Sequence, residues 1–126
     1  MSFDWSLYIQ LADELMNHQR NPILREAYLR SAISRSYYGI YCISRNLLIK
    51  RGVKIDKTRS AHTQVREEYI YSKNKLERKI GNNLSRLWDF RKDADYEDPI
   101  VGVNDAQLAY KLANKALYQL KRIGAV

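Results

Sequence analysis

The sequence predicts an all-α protein, an antiparallel bundle of four or five helices. Three observations predict it: apolar residues recur at steps of three and four along most of the chain, no period-2 run exceeds a few residues, and the connections are short. With 126 residues the chain is long enough to bury one core and too short for two, so residues 1–126 are expected to form a single domain. No internal repeat, low-complexity segment or interdomain linker interrupts it.

The first stripe, Trp5, Tyr8, Ile9, Ala12, Leu15 and Met16, predicts a helix from about Asp4 to His18, with "NHQRNP" and its Pro22 as the stop. A second helix is expected from near Ile23 to about Arg51. It is apolar or aromatic nearly all the way round (Tyr28, Leu29, Ile33, Tyr37, Tyr38, Ile40, Leu47), as a central helix contacted on several sides must be. Ser60 is the expected N-cap of a short third helix that sets His62, Val65 and Tyr69 on one face. The fourth is expected over about Lys73 to Asp95. The fifth is expected after Asn104, which pairs with Gln107 in a capping-box pattern ahead of the stripe Leu108, Leu112, Ala116, Leu120 and Ile123, with Gly124 ending it.

The formal charge of +8 is concentrated. Residues 50–79 hold ten Lys or Arg against four Asp or Glu, whereas the flanking segments are nearly balanced. "KRGVKIDKTR" crowds Lys50, Arg51, Lys54, Lys57 and Arg59 around Gly52, a patch that favours polyanions and makes nucleic acid a candidate partner; the alternative is a solvated basic face. No apolar run approaches the roughly 20 residues that span a bilayer, and "MSFDWSLYIQ" lacks the form of a basic leader. A membrane-free, cytoplasmic protein is therefore expected, which the single cysteine, Cys42, also suits.

The fourth stripe runs Leu76, Ile80, Leu84, Leu87 and Trp88, and its next member is Arg91, with Ala94 continuing it. A guanidinium on an apolar face needs a partner, a cleft or an interface, because burying it alone is expensive. Asp95, one turn on, is a candidate partner, and a pair closing the bundle end would be purely structural. Five carboxylates, Asp89, Asp93, Asp95, Glu97 and Asp98, fall close by. They do not form a calcium loop: starting at Asp93, the required glycine is Asp98 and the required glutamate is Asn104. As acids near a helix end before Pro99 they read as solvated rather than as an acid–base pair. Cys42, within the central helix, reads as a small core residue, and His18 suits a helix C-terminus. His62 opens a helix after the basic loop and reads first as a satisfied structural histidine. Two separated histidines and one cysteine do not supply a metal site, so neither metal nor cofactor is expected.

"AYLRSAISRSYYGIYCISRNLL", then "AHTQV", then "LWDFRKDADYEDP" and a last amphipathic helix together resemble the HEPN superfamily (higher eukaryotes and prokaryotes nucleotide-binding), in particular a small prokaryotic branch. The likeness covers nearly the whole chain, and its most specific parts are Tyr37–Tyr38 and "RKDADYED". It implies a helical bundle that commonly forms homodimers. In ribonuclease members an arginine, followed four to six residues later by a histidine, cuts RNA without a metal. Arg91 matches that arginine. Tyr96 stands where the histidine would be, and no histidine follows residue 62. A tyrosine can hydrogen-bond or stack on a base, but a phenol that ionises near pH ~10 is a poor general base. An arginine can still clamp phosphate bidentately.

The resemblance leaves two readings. One is a protein that binds RNA or nucleotide through Arg91, Tyr96, Lys54, Lys57 and Arg59, with Asp95, Tyr38 and His62 in support, and that acts as a ribonuclease-like part of a toxin–antitoxin or defence module. The other is a catalytically silent subunit, a dimeric scaffold or the partner of a minimal nucleotidyltransferase, with Tyr96 as the candidate for modification by that partner. A plain helical scaffold, with Arg91 in an interface salt bridge, is the reading outside the family.

Overall fold

The computed structural model describes residues 3–17, 21–56 and 60–126. Among them are five α-helices, one 3-10 turn and no strand: α1 Leu7–Asn17, the turn Pro22–Leu24, α2 Arg25–Lys50, α3 Ala61–Ile70, α4 Lys75–Tyr96 and α5 Val103–Arg122. The all-α bundle is thus as the periodicity predicts. None of these helices is long and apolar enough to cross a membrane.

α2 is the centre. It packs against α1, α4 and α5 and touches α3, while α3 lies mainly on α4. Its buried residues face in several directions, from Leu29 and Ile33 through Tyr37, Ile40 and Tyr41 to Leu47 and Leu48, which explains the absence of a clean apolar stripe. Two glycines permit close approach. A Cβ on Gly39 would meet Ile9 Cγ1 at 3.0 Å, and one on Gly81 would meet the Ile70 backbone nitrogen at 2.5 Å, so α1–α2 and α3–α4 both depend on a missing side chain. Polar ties join the layers: Tyr69 donates to the Ser44 carbonyl at 2.8 Å, and Asn83 Nδ2 donates to Gln119 Oε1 at 2.8 Å inside the α4–α5 contact.

The helix ends differ from expectation where capping decides them. Asp4 lies before α1, accepting from the Ser6 N–H at 3.0 Å, so the helix begins at Leu7; the expected end at His18 falls outside the described residues. Pro22 sits in a 3-10 turn opened by Asn21, whose side chain accepts from the Ile23 N–H, and α2 starts at Arg25. Ser60 caps α3 as expected, accepting from the Thr63 N–H at 3.2 Å. Asn74 caps α4 and moves its start to Lys75.

The capping box predicted at Asn104 and Gln107 is two residues too late. Asp105 reaches back to the Gly102 N–H at 3.0 Å, placing a carboxylate in the first turn of α5 where the helix dipole favours it. Leu108, expected on the apolar stripe, is not in the core but 55% exposed. The buried line is Ala106, Ala109, Leu112, Ala113, Ala116 and Leu120. Gly124, at φ 80°, follows the helix in the left-handed conformation its role as a stop requires.

Candidate functional site at the end of α4

The stripe of α4 holds through its last turns: Ile80, Leu84, Leu87, Arg91 and Ala94 are all buried, Arg91 at 8% exposure. Arg91 Nε donates to Asp95 Oδ2 at 2.9 Å, and Nη2 donates to the hydroxyls of Tyr38 at 2.7 Å and Tyr96 at 3.1 Å. Its guanidinium carbon lies 5.1 Å from the Tyr38 ring centroid, 5.2 Å from Trp88 and 5.0 Å from Tyr96. Nη1 makes no hydrogen bond with any described residue. Three rings and a carboxylate therefore fix the cation while one of its nitrogens stays unused.

Asp95 is oriented in turn by Ser34, whose hydroxyl donates to the same Oδ2 at 3.2 Å. The pair opens on a cleft of about 490 Å³ lined by Leu15 of α1, by Ser31, Ser34, Arg35 and Tyr38 of α2, and by Arg91 and Asp95 of α4. Arg35 lies over the Tyr8 ring at 4.7 Å and the Tyr38 ring at 5.5 Å, and its one hydrogen bond to a described residue is a long 3.5 Å contact with Ser34 Oγ. Two guanidiniums against one carboxylate leave the cleft with an excess positive charge. Burial outweighs the opposing pull of Arg91 and raises the Tyr38 pKa, so at neutral pH its phenol keeps a proton to donate.

The end of α4 is held by Arg30. Its Nη1 donates to the carbonyls of Asp93 (3.2 Å), Ala94 (2.8 Å) and Glu97 (2.8 Å), and its Nη2 donates to that of Pro99 (2.7 Å). Glu26 fixes Nε from one turn back at 2.8 Å. Four carbonyls at a helix C-terminus are thereby satisfied by one cation, where the dipole favours it. Asp95 and Tyr96 lie inside this clamped segment.

His62 belongs to a neighbouring aromatic cluster. It stacks on Tyr41 at 4.2 Å, lies 5.0 Å from Trp88 and 5.8 Å from Tyr38 by ring centroid, and its Nδ1 is 2.6 Å from the Tyr37 hydroxyl. Burial pushes the Tyr37 pKa strongly upward. Desolvation, followed by Arg91, Arg66 and Arg45, pulls His62 down to about 4. Tyr37 therefore donates, neutral Nδ1 accepts and Nε2 carries the proton. No direct bond joins His62 to Arg91; Tyr38 and Trp88 stand between them.

The structure thus brings together Arg91, Asp95, Tyr38 and Tyr96, with His62 one ring away. Lys54 is exposed on the connection to α3, where its carbonyl accepts from Gln64 Nε2 at 2.8 Å, and it does not line the cleft. Lys57 and Arg59 lie outside the described residues. Cys42 is buried, and burial raises its pKa, which keeps it a thiol. Among the described residues no three His, Cys, Asp or Glu side chains are grouped to hold a metal ion.

A comparison with protein-family profiles matches the HEPN domain over residues 6–123. The chain belongs to the HEPN family. A search of curated proteins gives no match. In this HEPN domain the match takes in all five described helices and the whole "RKDADYED" segment, so the arginine on the buried stripe and the tyrosine five residues later are part of the domain itself. Tyr96 is 68% exposed, with its hydroxyl on Arg91 and its ring at the surface.

Sequence reasoning missed Arg30 and Arg35. Arg35 carried a readable signal, a cation three residues before Tyr38 on one helix face. Arg30 carried none, because its partners are backbone carbonyls more than 60 residues away.

Proposed function

We propose that this HEPN protein binds RNA or a nucleotide through a phosphate group seated in the Arg91 cleft, as part of a toxin–antitoxin or defence module. One observation carries the reading. Arg91 is buried and paired, as a structural arginine would be, yet the pair faces a cleft, Nη1 is unused and a second guanidinium lines the same space. A phosphate placed there would meet planar donors from Arg91 and Arg35 and hydroxyl donors from Tyr38 and Ser31. Lys54, Lys57 and Arg59 would add long-range attraction to the same polyanion.

Cleavage is the more demanding part of this reading. Metal-independent cutting of RNA needs a base for the 2′-hydroxyl, and Tyr96 supplies a hydrogen-bonding phenol where the ribonuclease members have a histidine. His62 is neutral at physiological pH, but its Nδ1 is occupied by Tyr37. Incubating the wild type and Arg91→Ala with total RNA, in metal-free and metal-containing buffers, tests this: cleavage by the wild type alone supports a ribonuclease, and none by either protein rejects it.

The exposure of Tyr96 favours a second reading, a silent homodimeric subunit working with a nucleotidyltransferase. A phenol held at the surface by Arg91 is reachable by a modifying partner. Intact-mass measurement after incubation with the neighbouring gene's product and nucleoside triphosphates tests it: a nucleotidyl adduct lost in Tyr96→Phe supports this reading, and an unmodified chain rejects it.

A further inference from the structure

Four arginines surround the aromatic cluster, and among the described residues only one of them has a carboxylate partner. Arg91 is paired with Asp95. Arg35 lies over Tyr8 and Tyr38, Arg45 over Trp5 at 6.0 Å and Tyr41 at 5.8 Å, and Arg66 over Trp88 at 4.9 Å. The hydrogen bonds of these three to described residues go to neutral groups, Ser34, Asn46 and Thr63, and Arg66 Nη1 is buried with no hydrogen-bond partner among the described residues. Each of the three is half-buried.

The placement is regular. Arg35, Tyr38, Tyr41 and Arg45 fall within about 120° of one face of α2, and the two arginines are about 15 Å apart along its axis. Across from them stand Arg91 and Trp88 from α4 and His62 and Arg66 from α3. Arg66 and Arg91 both lie against Trp88, at 4.9 and 5.2 Å, and Arg45 lies over Tyr41 at 5.8 Å; His62 packs against both of those rings. Buried and half-buried guanidiniums held by rings and neutral polar groups, with a single carboxylate among four, form a concentration of charge that the described residues do not neutralise.

We propose that Arg35, Arg45 and Arg66 form a track for single-stranded RNA that leads into the Arg91 cleft. The proposal rests on the reading of Arg91 as a phosphate-binding residue and extends it from one phosphate to several nucleotides. Phosphates are drawn to the unneutralised cations, and bases find guanidinium planes and the half-buried rings of Tyr8 and Tyr38 on which to stack. A duplex, whose bases are already stacked, uses the charge but not the rings.

Fluorescence anisotropy with a labelled oligouridylate of about 12 nucleotides, beside calorimetric titration of AMP, tests the track. Arg45→Gln and Arg66→Gln are expected to weaken the oligonucleotide about fivefold or more, to flatten the log–log salt slope by about 0.7 for each charge removed, and to leave AMP within about twofold. Arg91→Gln weakens both ligands, and Lys115→Gln on α5 weakens neither. Melting curves establish that each variant folds. Arg45→Lys and Arg66→Lys, which keep the cation and lose the plane, are expected to keep the wild-type slope with reduced affinity.

If Arg45 and Arg66 variants bind the oligonucleotide as the wild type does while Arg91→Gln loses AMP, the track is wrong and the Arg91 site stands. If Arg91→Gln affects neither ligand, the reading beneath it fails too. A change in sedimentation mass in Arg45→Gln with unchanged RNA affinity makes the ladder a contact between two copies of this chain and overturns the proposal.

Discussion

The Tyr38 hydroxyl accepts a hydrogen bond from Arg91 Nη2 at 2.7 Å, joining the middle of α2 to the last turns of α4 across 53 positions of sequence. This contact, with the Arg91–Asp95 pair beside it and Leu15 of α1 completing the wall, makes the cleft a property of packed helices rather than of a loop. Rigid elements hold a binding geometry more closely than loops do. Both Arg35 and Arg91 lie against the Tyr38 ring, at 5.5 and 5.1 Å, so one ring holds the two cations.

Removing Arg91 is expected to cost stability as well as binding. Arg91→Ala leaves the Tyr38 hydroxyl without its donor and Asp95 without its counter-charge, with only the longer bond from Ser34, at a cost of about 2–4 kcal/mol. Arg91→Lys keeps the charge but cannot serve Asp95, Tyr38 and Tyr96 together, and about half of that loss is expected. Urea denaturation of the three proteins measures both.

Arg30→Ala probes the clamp. With the carbonyls of Asp93, Ala94, Glu97 and Pro99 released, α4 is expected to fray from its C-terminus and the fold to lose about 1–3 kcal/mol. AMP affinity should fall as well, although Arg30 does not line the cleft, because Asp95 and Tyr96 lie in the freed turn. Amide exchange over residues 91–98 reads the fraying directly, and unchanged protection would reject the clamp.

How far the site was legible follows from the range of each interaction. Arg91 and Asp95 are readable because helical spacing alone puts a charge on an apolar stripe and its partner at i+4. Tyr38 is readable only through family resemblance, since nothing local relates residue 38 to residue 91. Arg30 is invisible, because a cation that binds distant carbonyls leaves no pattern in side-chain chemistry. The same division applies to the fold. Helix identities follow from periodicity, but the start of α5 does not, because Asn104–Gln107 imitates a cap that Asp105 makes with Gly102. Leu108 heads the expected stripe but lies at its edge, about 40° round the helix from Leu112 and away from Ala109 and Ala113, and it faces out.

His62 makes stability depend on pH. Its folded pKa of about 4 lies below the ordinary value near 6.5, so the unfolded chain binds the proton first. Its contribution is fully present above pH 6.5, declines as pH falls toward 4 and changes no further below that. For a single proton the slope is at most about 1.4 kcal/mol per pH unit, and half-burial reduces the total. His62→Gln should flatten stability against pH within that window, as thermal melts from pH 4 to 7 would register; an unchanged slope would place the titration elsewhere.

Gly81→Ala tests the packing that positions His62. The new methyl would lie 2.5 Å from the Ile70 backbone nitrogen, and backbone must shift to admit it. A loss of about 2–4 kcal/mol is expected, in contrast to the gain a glycine-to-alanine change usually gives inside a helix. Trp88 fluorescence should change too, since α3 carries His62 and Arg66 against that ring.

The central claim is that Arg91 binds a phosphate while remaining part of the fold, and calorimetric titration of AMP into the wild type and Arg91→Gln at low and moderate salt tests it most directly. The account predicts wild-type binding that weakens with salt and an affinity about tenfold or more lower in folded Arg91→Gln. Equal affinity in the two proteins, or no binding by the wild type at low salt, would contradict it and leave Arg91 a structural arginine.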